Sequence, residues 1–214
     1  ICGTQVTSDN CGDLSVIDGV EGTVKYDPDS KTLTLEGATI NSTTTNAIVL
    51  YRGDLTIKVI GTNSLTTTDN ATLSFKSPLT LTGGGTLNVK SQTDCAVYAN
   101  GTNLTINNCT VNAESGAYGI AGNSGSNEKL LIKNATVTAE GKEGSICDFK
   151  EITLEGCAIT QPAGARFDEA KHAIVLNGEK VTSEVKIEPI VTKYDLKICG
   201  TQVTSDNCGD LSVI

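Results

Sequence analysis

Apolar and polar residues alternate one for one along most of this chain, in short runs divided by clusters of Gly, Asn, Asp and Ser. A period of two marks strands with one buried face, and the dividing residues are turn formers. Apolar residues at helical spacing are nearly absent, and "AGARFDEAKHA", from Ala163, is the one plausible helical turn. The runs themselves repeat. "LTLEGATI" from Leu33, "LTIKVIGTNSL" from Leu55 and "LTLTGGGTLNV" from Leu79 are followed by "LTINNCTVNAE" from Leu104, "LLIKNATVTAE" from Leu130 and "ITLEGCAITQP" from Ile152. Their starts lie 22, 24, 25, 26 and 22 residues apart.

Further short strands fall between these motifs: "AIVLY" from Ala47, "ATLSF" from Ala71, "CAVYA" from Cys95, "AYGIAG" from Ala117 and "SICDF" from Ser145. One unit therefore holds roughly three short strands and three turns, a period in the range of solenoid repeats. Every unit keeps the same order, which suits a coil returning to the same phase. The expectation is an all-β fold, a parallel β-helix (β-solenoid) of about six to seven coils with flanking β-hairpins. Leu33, Leu55, Leu79, Leu104, Leu130 and Ile152 would stack in one interior ladder, and Leu35, Ile57, Leu81, Ile106, Ile132 and Leu154 in a second.

The flanks read differently. "DPDS" between two alternating runs predicts a hairpin over 20–40, and Asn177 with Gly178 predicts a terminal hairpin over 173–188. The coils are expected over about 33–165, within one module spanning 1–191. "ICGTQVTSDNCGDLSVI" occupies residues 1–17 and recurs letter for letter at 198–214. A tandem array with a period of 197 residues explains this, with 192–214 as the start of the next copy. Ile1 and Ile198 then mark one edge of the repeat junction, and Ile17 and Ile214 the other. The two 17-residue copies should adopt the same local fold.

Charge narrows the partners. The chain carries −9, and one period carries −7 once Asp206 and Asp210 of the second copy are set aside. An acidic array keeps away from nucleic acid and anionic membranes. No apolar run is long enough for a membrane helix, so membrane insertion is not expected. Six of the eight cysteines belong to one period: Cys2, Cys11, Cys95, Cys109, Cys147 and Cys157, with Cys199 and Cys208 repeating the first two. There is no CxxC pair and a single His, His172, so a metal site is not expected. An even count in an oxidising compartment suggests disulfides, with local closure favouring Cys2–Cys11, Cys95–Cys109, Cys147–Cys157 and Cys199–Cys208. Buried free thiols are the other reading.

Catalysis finds little support. A lyase on this scaffold needs an acid cluster with Arg or Lys beside it, and neither Arg52 nor Arg166 lies beside stacked acids. The carboxylates Asp94, Asp148 and Glu151 read as scattered, and no catalytic or cofactor motif occurs. Sugar binding needs exposed aromatic faces, for which Tyr51, Tyr98 and Tyr118 are the candidates. Packing at coil corners is the plainer reading of the same three residues.

"GTQVTSDNCGDLSVIDGVEGTVKYDPDSKTLTLEGATI", followed by the coils, resembles tandem-repeat β-helix modules of the pectin-lyase-like superfold in large surface or secreted proteins of gut Bacteroidota. The resemblance covers nearly the whole chain. It implies an extracellular or cell-surface location and an array, and it supplies no catalytic residues and no cofactor. The expected role is a structural or adhesive repeat unit of an extracellular bacterial fibre, stalk or surface protein, joined end to end to copies of itself and not an enzyme. The alternative is a carbohydrate-binding β-helix module with glycans as partners; a polysaccharide lyase ranks third.

Overall fold

A computed structural model describes residues 1–213. Strands β1 (Val20–Asp27) and β2 (Thr32–Ser42) form the expected first hairpin. Its turn is held by the Asp27 carboxylate, which accepts from the Asp29 N–H at 3.0 Å and the Ser30 hydroxyl at 2.7 Å. β2 bends at Gly37 and supplies the first strand of two faces, and β3 (Ile48–Leu50) completes coil one.

Coil two comprises β4 (Leu55–Ile60), β5 (Thr62–Thr67) and β6 (Leu73–Phe75). Coil three comprises β7 (Leu79–Thr82), β8 (Thr86–Ser91) and β9 (Val97–Ala99). Coil four comprises β10 (Leu104–Asn107), β11 (Thr110–Ser115) and β12 (Tyr118–Gly122). Coil five comprises β13 (Lys129–Lys133), β14 (Thr136–Gly141) and β15 (Gly144–Cys147). Each strand pairs in parallel with its counterpart one coil earlier, giving a three-faced β-solenoid.

The sixth coil is opened. β16 (Glu151–Glu155) continues the first face, but β17 (Cys157–Gln161) and β18 (Arg166–Asp168) are parted from their neighbours. β19 (Ala173–Leu176) lies antiparallel between β15 and β18 and turns through Asn177 and Gly178, both at positive φ, into β20 (Glu179–Lys180). β21 (Val185–Pro189) lies antiparallel between β14 and β17. There are thus five regular coils and one wedged open, rather than six to seven. The expected helical turn is β18 and the tight turn after it. The predicted terminal hairpin is β19 and β20, while β21 crosses to the second face. Strands β22 (Lys193–Ile198) and β23 (Thr201–Thr204) form a separate two-stranded sheet.

The ladders run as expected from coil two onward: Leu55, Leu79, Leu104, Leu130 and Ile152 stand opposite one another. Coil one is offset by two residues, with Leu33 opposite Ile57 and Leu35 opposite Val59. The repeated letters "LTL" and "LTI" align the wrong residues here. Alternation still keeps Leu33 and Leu35 inside, because a two-residue shift preserves the buried face. The corner between the first two faces takes a left-handed residue in each coil: Gly37, Gly61, Gly84, Asn108, Asn134 and Gly156. Gly and Asn tolerate that conformation best, which explains the "GT" and "NN" turns of the sequence.

Candidate functional site

The third face carries a cluster outside the main core. Ala71, Cys95, Ala121, Cys147 and Ala173 pack there, flanked by Tyr98 and Tyr118. Pleating explains the arrangement. Val97, Ile120 and Ile146 oppose one another and point inward, so the next residues, Tyr98, Ala121 and Cys147, stand outward in one column. Tyr118 opposes Gly144. Two half-buried rings therefore pack over a strip of small side chains that are themselves buried, and the rings with this strip are here called the trough.

Buried hydroxyls position one border. Ser42, Thr67, Ser91 and Ser115 stand in register at the corner that leads to the third face. The Asp94 N–H donates to Ser91 Oγ at 3.1 Å, and the Ser115 hydroxyl donates to the Asp94 carbonyl. The Asp94 carboxylate is thereby set against the Cys95 N–H, which it accepts at 2.7 Å. At the other border Asp148, at φ 60°, accepts the Cys147 thiol at 3.4 Å.

The loop 123–128 closes one end. Tyr98 Oη donates to Asn123 Oδ1 at 2.7 Å, and the Gly125 N–H donates to the Asp148 carbonyl at 2.9 Å. Gly125 sits at φ +69°, and a Cβ there would fall 2.4 Å from the His172 ring, so the loop rests directly on the imidazole. His172 Nδ1 is buried without a hydrogen-bond partner among the described residues. The Lys180 ammonium stands 5.4 Å from the Tyr118 ring centre.

The trough is acidic. Burial, then the neighbouring Cys95 and Asp94, push the Tyr98 phenol up. The Glu143 carboxylate beside Tyr118, then burial, push that phenol up to about 12. Burial, then Asp94, holds the Cys95 thiol well above its usual range; burial, then Asp148, does the same for Cys147. Both thiols are neutral at pH 7 and poor nucleophiles. Burial alone would raise Glu128, but the N–H groups of its own loop outweigh it and hold the carboxyl below its ordinary value. Carboxylates beside two phenol rings can accept hydroxyl protons from a ligand whose apolar face lies on the rings. Among the described residues, no three His, Cys, Asp or Glu side chains converge on one point as metal ligands.

Tyr98 and Tyr118 thus meet around one trough, and Tyr51 does not join them. Tyr51 is 65% exposed at the head of coil one, with Lys76 Nζ 6.0 Å from its ring centre. It lines a cleft of about 770 Å³ with Tyr26, Arg52 and the first residues of the chain. Asp94 and Asp148, read as scattered, both bear on Tyr98, whereas Glu151 is on the first face, paired to Lys129 at 2.8 Å. Asn123, Glu128, Glu143, His172 and Lys180 carry no motif; the mirrored "DC" and "CD" at Cys95 and Cys147 were the available signal.

The expected disulfides do not form: Cys2, Cys11, Cys95, Cys109, Cys147, Cys157, Cys199 and Cys208 are all free thiols. The reason for the coil pairs is pleating, since Cys95 and Cys147 face the outer trough while Cys109 and Cys157 pack in the interior core. Cys2 and Cys11 each donate to a backbone carbonyl instead, of Asn41 and Ser8, at 3.7 Å. At the repeat junction, Ile1 and Ile17 are buried, Ile198 is half-buried, and Ile214 lies outside the described residues. Among the described residues no helix is long and apolar enough to cross a membrane.

Compared with known proteins, residues 6–156 match the family model for carbohydrate-binding domain-containing proteins, more than two thirds of the chain. No curated protein matches. No solved structure matches.

Proposed function

We propose that this chain, which belongs to the family of carbohydrate-binding domain-containing proteins, binds a neutral sugar against the partly exposed rings of Tyr98 and Tyr118 on the third face. The observation that carries this reading is the convergence of Tyr98 and Tyr118 on one small-residue floor, with Asp94 and Asp148 at its borders. A pyranose has an apolar C–H face for the rings and hydroxyls for the carboxylates. The acidic rim disfavours uronic acids and other polyanions.

The module acts without catalysis in this reading. Asp94 and Asp148 accept from the adjacent Cys95 N–H and Cys147 S–H. Arg52 lines the head cleft, and Arg166 lies on β18, opposite Val175 at the end of the third-face sheet. We place the module outside the cell, as one glycan-binding unit of an extended surface protein.

Titration calorimetry against a panel of neutral oligosaccharides tests the reading. Tyr98→Ala and Tyr118→Ala should each weaken binding by about 2 kcal/mol, roughly thirtyfold. Binding that both substitutions leave unchanged, or no binding across the panel, contradicts it.

A further inference from the structure

One buried charge lies behind Tyr98. Glu128 is 1% exposed, and no other Asp, Glu, Lys or Arg is buried among the described residues. Taking a carboxylate out of water is costly unless hydrogen bonds replace the lost hydration. Here they do. Glu128 Oε1 accepts the Asn123 N–H at 3.3 Å, and Oε2 accepts the Asn127 N–H at 3.0 Å. One side chain thus holds both ends of the loop 123–128.

That loop is particular to coil four. The corner from the third face back to the first takes residues 51–54, 76–78, 100–103 and 148–150 in the other regular coils, three or four residues each. In coil four it takes six, 123–128. The longer corner is pinned on both sides. The Lys129 N–H donates to Asn103 Oδ1 at 3.1 Å in the corner before it, and the Lys150 N–H, in the corner after it, donates to the Glu128 carbonyl at 2.8 Å. Coil stacking does not require the added residues, since the neighbouring corners close without them. Loops set on a rigid scaffold are where recognition residues concentrate.

The loop also fixes the tip of the Tyr98 ring. Tyr98 Oη donates to Asn123 Oδ1 at 2.7 Å. Carboxylate and phenol are therefore linked through one residue, whose backbone Glu128 holds and whose side chain holds Tyr98. Asn123 is exposed, and its Nδ2 makes no hydrogen bond to the chain among the described residues. Two amide N–H donors thus stand at the end of the ring. The carboxylates that bear on the same ring, Asp94 and Asp148, offer only acceptors.

We propose that Asn123 is a sugar-contacting hydrogen-bond donor and that Glu128 is the positioning residue that sets it. The inference rests on the sugar reading of Tyr98. Glu128 fixes the loop, and the loop fixes Asn123. Asn123 then steadies the ring through Oδ1 while Nδ2 donates to a hydroxyl oxygen of the sugar lying on that ring. An apolar residue at 128 would fill the same space but leave two N–H groups without an acceptor.

Calorimetry with the tightest sugar of the neutral panel, together with the Tyr98 Cζ resonance of tyrosine-labelled protein, tests it. Asn123→Ala should weaken binding roughly tenfold and Glu128→Gln roughly fivefold. Both should displace the Tyr98 resonance. Glu128→Asp keeps the charge but loses the reach to both N–H groups, and should displace it too. A carboxylate that only stabilised the fold would leave that resonance in place in variants that circular dichroism shows to be folded. Among monodeoxy forms of the sugar, one should lose affinity for the native chain and not for Asn123→Ala. An unmoved Tyr98 resonance or undiminished affinity in Glu128→Gln overturns the positioning role. A deoxy series that Asn123→Ala follows just as the native chain does overturns the donor role. If the native chain binds no sugar, the sugar reading falls and the donor role with it, while the Tyr98 resonance still decides whether Glu128 sets the ring.

Discussion

Residues 1–16 and 198–213 carry the same letters and the same turns, but not the same burial. Leu14 is fully buried beneath β1, whereas its counterpart Leu211 is 36% exposed. The shared features are short-range: an Asn side chain closing a turn, an Asp capping a single 3₁₀ turn, a left-handed Cys followed by Gly. The difference is long-range and comes from the seat on coil one, where the Cys2 N–H donates to the Ala47 carbonyl at 2.9 Å and the Tyr26 N–H to that of Cys11 at 2.7 Å. Local sequence is enough to set the shape of this segment, and the seat sets how much energy resists its opening.

The largest test of that division is a pair of equal substitutions. Leu14→Ala should cost about 2–5 kcal/mol in denaturant unfolding, the usual range for a buried Leu. Leu211→Ala should stay within about 0.5 kcal/mol. Equal losses would mean that the second copy is seated too. A smaller effect separates the thiols. Burial first raises the Cys2 thiol, so its alkylation should lag that of the exposed Cys199 and its rate should rise at higher pH than for an ordinary thiol. Mass mapping after brief alkylation reads the order, and faster labelling of Cys2 contradicts it.

The smallest effect should be the same in both copies. The Ser15 and Ser212 hydroxyls, then their N–H groups, hold Asp13 and Asp210 below the ordinary carboxylate value. A depressed carboxylate stabilises its turn above its ordinary pKa, and the gain is lost as pH falls through the folded value. Carboxyl resonances of the two residues should move together on acidification. A lowered value for Asp13 alone would show that the turn depends on the seat.

How much of the molecule was legible follows the same split between near and far. The strands, the corner turns and the three faces follow from alternation and turn chemistry, which act over a few residues. The offset of coil one did not show, because β2 runs through its corner and the letters align without regard to it. Asn63 was not singled out, yet it is 1% exposed and accepts the Ala38 N–H at 2.8 Å at that corner. The wedge of β19 and β21 was hidden because alternation marks a strand but not the direction of its partner. Tyr98 and Tyr118 were visible as candidates. The trough between them depends on Ala121, Cys147 and Ala173 from later coils and the cap, and only the register brings these together.

The most direct test compares amide exchange at Cys11 and Cys208, whose N–H groups make equivalent bonds to Thr7 and Thr204 at 2.9 and 3.0 Å. In dilute solution Cys11 should exchange at least roughly a hundredfold more slowly than Cys208, since its opening must unseat the segment from coil one. Equal exchange in dilute solution would contradict the claim that the seat, and not the segment, supplies the stability.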